Sequence, residues 1–146
     1  MLFSNQLKEI KGLETLRNLE ILTLNDNQIK EIKGIQTLMN LRKLELARNQ
    51  IEEIKGLNNL TKLKELDLWG NQITEIKGLL HLTNLQCLSL GGNLIKEIKG
   101  LKTLTKLRRL LLMNNPIIQT ERYLVDLKKG AQEVVRYCQE KVENVK

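Results

Sequence analysis

Leucines recur along the chain at spacings of three, three and two, and an asparagine closes each group. Leu16, Leu19, Leu22 and Leu24 lead to Asn27, and Leu60, Leu63, Leu66 and Leu68 lead to Asn71. The frame L-x-x-L-x-x-L-x-L-x-x-N holds in five successive units without an insertion. Its L-x-L step has the period of an extended strand. In Leu22-Thr23-Leu24 that period sends both leucines inward and Thr23 outward. Ile29, Ile32, Ile35, Leu38 and Leu41 then fill the same interior as the chain returns. Ile-Lys-Gly starts at residues 10, 32, 54, 76 and 98, always 22 apart. One such unit cannot bury its apolar face alone, so neighbours must stack.

With this frame the chain resembles the leucine-rich repeat family. The 22-residue unit, with I-x-x-I-x-G-L ahead of the leucines, is similar to its SDS22-like (phosphatase-regulator-like) class over about residues 2 to 119. The resemblance implies an α/β fold: a curved solenoid with one short parallel strand per repeat on the concave face and short helical or 3₁₀ turns on the convex face. It also implies a regulatory subunit, adaptor or scaffold. No residue-by-residue match carries a phosphatase partner across.

The polar positions inside the frame have structural roles. Asn27, Asn49, Asn71, Asn93 and Asn115 occupy one place after each strand. An amide there can bond the backbone of its own turn and of the adjoining repeat. The glycines from Gly12 to Gly100, at intervals of 22, suit turns that need permissive dihedrals.

The ends depart from the pattern. Asn5-Gln6-Leu7-Lys8-Glu9 matches Asn27-Gln28-Ile29-Lys30-Glu31, so residues 1–9 form a partial repeat ahead of five full ones in 10–119. No amphipathic segment precedes it. Either Leu2 and Phe3 form a minimal cap or this edge pairs with another chain. After Asn115-Pro116, a step that resembles the caps of SDS22-like proteins, residues 120–146 are expected to form a helical C-terminal cap. One helix would run from Thr120 through Leu127. A second would run from Ala131 to Glu143, with Ala131, Val135, Cys138 and Val142 on one stripe, widened by Val134 and Tyr137.

Composition narrows the chemistry. The chain has 31 Leu and 14 Asn among 146 residues, one His and two Cys. That cannot build a His- or Cys-rich metal site or a disulfide framework. The longest apolar run, Leu110 to Met113, is far below the roughly 20 residues of a membrane span. The first residues lack a secretion signal, so a cytoplasmic location is expected. No phosphate-binding glycine motif is present; Gly91-Gly92 has no following Lys or Ser/Thr. His81 falls on the convex return. Cys87 projects from a strand, and no neighbouring His activates it. Glu45, Glu65 and Asp67 are close together, but on an open surface with nothing to raise a carboxyl pKa. A non-enzymatic protein without cofactor or metal is the expectation.

Function is therefore sought where the repeat leaves residues free. Five columns flank the strand leucines on the concave face. Adjacent strands lie about 4.8 Å apart, so five strands span roughly 20 Å, the width of a peptide segment or one helix. The only Trp, Trp69, shares its column with Ala47, Gly91 and Met113. It is either a binding anchor exposed by small neighbours or a ring lying flat over Gly91 and Gly92. Arg108 and Arg109 border the apolar pair Leu111 and Met113, while Glu45, Glu65 and Asp67 form an acidic cluster beside Trp69. These eight residues are the expected partner-binding set. They suit a protein segment with an apolar anchor between a basic and an acidic flank. On the convex side, columns of Glu (Glu9 to Glu97) and Lys (Lys11 to Lys99) read as a solubilising surface.

The formal charge is +7, of which +6 lies in residues 1–116. It raises a second possibility, nucleic-acid association, which requires a continuous basic face and exposed aromatics. The acidic cluster interrupts such a face, and Trp69 is alone. A third is self-assembly through the thinly covered N-terminal edge of an otherwise monomeric chain.

Overall fold

The computed structural model describes residues 6–119 and 130–143. Five three-residue strands pair in chain order in one parallel sheet: β1 (Ile21–Thr23), β2 (Lys43–Glu45), β3 (Glu65–Asp67), β4 (Cys87–Ser89) and β5 (Arg109–Leu111). The register equals the repeat length. Leu22 faces Leu44, Leu44 faces Leu66, Leu66 faces Leu88 and Leu88 faces Leu110. Each side chain thus stacks on its counterpart one turn away. Leu66 and Leu68 from the strand side and Ile73, Ile76, Leu79, Leu82 and Leu85 from the return are all 1% exposed or less. Burial of each such side chain contributes roughly 1.5–3 kcal/mol, realised only because the next turn covers it.

Backbone groups at the turns are satisfied by the asparagine column, itself 3–7% exposed. The Asn71 carbonyl oxygen accepts from Ile51 N–H at 3.0 Å, and its amide donates to the carbonyls of Leu46 and Leu68, each at 3.0 Å. Asn49 and Asn93 repeat the arrangement one turn on either side. Each carbonyl of the series Leu24, Leu46, Leu68 and Leu90 therefore receives two amides, one from its own repeat and one from the next. The column ties every turn to its neighbour.

The recurring glycine answers two demands together. Gly78 has φ +75°, and a Cβ there would lie 2.0 Å from the Ile54 carbonyl oxygen. A left-handed dihedral and a close approach between repeats leave room for hydrogen only.

The expected helical or 3₁₀ turns on the return side are instead isolated hydrogen-bonded turns. In the third repeat, Leu60 N–H donates to Leu57 C=O and Leu63 N–H to Leu60 C=O, and the other repeats follow suit. Bonds set three residues apart close single turns, whereas a 3₁₀ helix needs them at consecutive residues. Among the described residues the one 3₁₀ turn is Pro116–Gln119.

The ends contrast. The helix α1 (Ala131–Glu143) contributes Ala131, Val134 and Val135 to the same apolar cluster as the repeats. Its Gln132 amide donates to the Thr105 and Leu107 carbonyls, and Gln139 to that of Lys102. The expected helix over Thr120–Leu127, the side chains of Tyr137, Cys138 and Val142, and Leu2 and Phe3 lie outside the described residues. At the other end Leu16 is 46% exposed, although its counterparts Leu38, Leu60, Leu82 and Leu104 are fully buried.

Candidate functional site

The outer face of the sheet is where side chains differ from repeat to repeat. The two faces organise charge in different ways. On the return side, Lys77 lies 3.5 Å from Glu53 of the preceding repeat and 4.0 Å from Glu75 of its own. Lys55 and Lys99 bridge their pairs of glutamates in the same manner. These ions are about half exposed, so water screens each pair, and the ladder's main effect is a uniform, locally neutral surface.

On the sheet face the charges pair unevenly. Arg42 lies 3.5 Å from Glu20, and Arg48 bonds Asp26 through two nitrogens. Lys43 sits between two carboxylates, 2.9 Å from Glu45 and 3.4 Å from Glu65. The acidic cluster expected from the sequence is therefore threaded by a lysine. Glu45 also accepts from the Thr23 hydroxyl at 3.0 Å. The hydrogen bond from Lys43 is the main reason the Glu45 carboxyl is held below its ordinary range, with burial opposing it. The Asp67 carboxylate accepts from Trp69 N–H at 3.0 Å, which fixes the exit from β3.

Glu45, Glu65, Asp67, Arg109 and Leu111 line one shallow depression of about 190 Å³, together with Lys43, Cys87 and Ser89. Arg108 directly precedes β5, and Trp69 and Met113 lie two residues beyond β3 and β5; these three do not line the depression. The structure thus brings five of the eight candidate residues together in one depression. Cys87, half-buried in that floor, has its thiol pKa pushed up, chiefly by burial. That suppresses the thiolate and with it nucleophilic reactivity.

Trp69 is half-buried. A Cβ built on Gly91 would lie 2.0 Å from the Trp69 ring, and one on Gly92 would lie 3.5 Å from its indole nitrogen. The ring lies over the two glycines, so the space beside Gly91 that small neighbours promised is filled by the indole itself. Met113 is 39% exposed and extends the apolar margin.

One column of this face carries a backbone constraint that the period alone does not state: Asp26, Arg48, Gly70, Gly92 and Asn114 all have φ between 53° and 67°. Four of the five are residue types that tolerate the left-handed region. That composition was the available signal.

A stacked parallel sheet with a 22-residue register, an asparagine ladder and one variable face defines a repeat solenoid of the interaction type. The models for leucine-rich repeats match residues 40–81, as two copies, and residues 61–117. The chain belongs to the leucine-rich repeat proteins. Among solved structures it is similar to internalin C2 of Listeria monocytogenes, with 37% identity and TM-score 0.74, covering 77% of this chain and 50% of that one. A second Listeria monocytogenes internalin, InlF, is 31% identical with TM-score 0.69, covering 77% of this chain and 34% of that one. TLR13 in its complex with single-stranded RNA is 32% identical with TM-score 0.63, covering 70% of this chain and 16% of that one. The chain thus spans half or less of each of these proteins. No curated protein matches it. Leucine-rich repeat proteins are in general protein-interaction modules.

Proposed function

We propose that the protein is a non-enzymatic interaction module, an adaptor, scaffold or regulatory subunit, that binds a protein partner through the concave sheet face. The observation that carries this reading is the contrast between the two faces. The convex side repeats one Glu–Lys ladder, whereas the sheet face gathers an indole, two apolar side chains and unevenly paired ions around one depression. In this reading Trp69, Leu111 and Met113 supply apolar contact. Arg108, Arg109, Glu45, Glu65 and Asp67 set orientation. Residues 1–119 form the solenoid and 120–146 its cap. The SDS22-like assignment rests on the 22-residue I-x-x-I-x-G-L frame.

Trp69→Ala is expected to remove capture of the partner from a nuclease-treated lysate while circular dichroism retains the folded signal. Capture at full strength would remove Trp69 from the interface. Nucleic acid, the ligand in the TLR13 structure, is the less favoured occupant, because carboxylates stand in the middle of the groove and the indole is laid against Gly91.

A second reading, self-association through the N-terminal edge, has its own support. Leu7, Leu13, Leu19 and Leu22 are only partly buried, and a depression of about 350 Å³ is lined by three of them, Leu7, Leu13 and Leu22. Sedimentation should then give a mass that rises with concentration and falls to the monomer in Leu16→Glu. A strict monomer at all concentrations would eliminate it.

A further inference from the structure

The number of basic residues on the sheet face nearly equals the number of acidic ones, but their pairing does not leave the face neutral. Arg42, Lys43 and Arg48 hold Glu20, Glu45, Glu65 and Asp26 among them. Lys64, Arg108 and Arg109 are exposed, and no carboxylate among the described residues lies within ion-pair distance of them. Lys62 and Lys106 extend the group. Their ammonium groups donate to the amide oxygens of Asn40 and Asn84, at 2.8 and 2.7 Å, contacts that hold them in place without neutralising them. These five cations share one margin, at the entry side of β3 and β5. Lys64 and Arg108 are two strands apart, so roughly 10 Å separates their rows.

We propose, building on the concave-face reading, that this margin is the docking site for an acidic segment of a protein partner. The segment would carry two or three carboxylates within about 10 Å, the length of about three strand residues or two helix turns. Its apolar side chains turn inward to Leu111. The argument is charge complementarity. Like charges gathered on a solvent-facing margin repel one another, and elsewhere on this molecule the Lys rows of the return side are interleaved with Glu rows. Here no carboxylate of the described residues supplies that compensation, and a partner's carboxylates supply it while steering the encounter. The favoured ligand is a short acidic segment rather than a nucleic-acid strand. The basic group covers only the β3–β5 end, and Asp67 and Glu65 lie in the adjoining columns, where a continuing phosphate track would pass.

The test uses the full chain and a short fluorescein-labelled peptide rich in Glu and Leu, with its Gln-for-Glu counterpart, read by anisotropy. A single-stranded RNA and phosphatidylserine-containing vesicles are run alongside. The Glu peptide is expected to bind, to weaken as salt is raised, and to bind at least about tenfold more tightly than the Gln peptide. The triple variant Lys64→Glu/Arg108→Glu/Arg109→Glu is expected to lose at least about tenfold in affinity. Lys8→Glu/Lys30→Glu/Lys96→Glu, which changes net charge equally at exposed sites away from the sheet face, should bind as the parent does. Equal loss in both triple variants would reduce the effect to net charge and overturn the proposal. So would absence of peptide binding, or tight RNA or vesicle binding that the margin variant alone loses. If Trp69→Ala abolishes partner capture and the margin variant keeps it, the concave reading stands and the acidic segment does not. If both keep it, neither stands.

Discussion

Gly78→Ala is expected to destabilise the solenoid by about 3 kcal/mol or more, against about 1 kcal/mol for Gly12→Ala. Both residues have φ near +75°, so both variants place a methyl group in the left-handed region. They differ in what the methyl meets. At Gly78 the Cβ falls 2.0 Å from the Ile54 carbonyl oxygen, whereas at Gly12 nothing lies within 4 Å. The Ile54 carbonyl is backbone of the preceding turn, so relief requires the two turns to move apart. That movement would open the stacked leucines on both sides. Urea unfolding followed by circular dichroism measures the two costs, and their difference isolates the close approach from the dihedral. Equal costs would mean that the repeats are not in contact along the glycine column.

Asn71→Ala is expected to cost about 3–4 kcal/mol, because it strips partners from several buried groups at once. Ile51 N–H loses its acceptor, and the Leu46 and Leu68 carbonyls each lose one of two amides. For a chain of this length that corresponds to a fall in Tm of roughly 10 °C. Asn27→Ala should cost less. Asn27 bonds Leu7 N–H in a turn whose leucines are already partly exposed, so its loss frays an end instead of cutting the stack in two. Thermal unfolding of the two variants checks the order. Equal losses would contradict a ladder in which central turns are held from both sides.

These features were legible in the chain because they repeat. A period of 22 with leucines at fixed places states the strand register, the buried face and the asparagine and glycine columns before any coordinate is known. What the period left open is where side chains make individual choices. It placed Glu45, Glu65 and Asp67 close together but not Lys43 between two of them, since that depends on the rotamer of one long side chain. It offered an exposed or a flat indole at Trp69, and the flat arrangement follows from Gly91 having no Cβ to hold the ring away. For the residues of the return, the resemblance implies helical or 3₁₀ turns. Their leucines, three apart, instead close separate turns. The left-handed column from Asp26 to Asn114 could have been recognised from its own composition.

The central claim, that the concave sheet face holds the protein partner, is tested most directly by crosslinking from both faces. A photoreactive residue is placed at Met113 on the sheet face and, in a second variant, at Glu75 on the return side. Both positions are exposed. Irradiation in a nuclease-treated lysate is predicted to give one discrete protein adduct from the Met113 position and none from Glu75, and Trp69→Ala should remove it. An adduct from Glu75 alone, or one from Met113 that disappears with nuclease, would contradict the account.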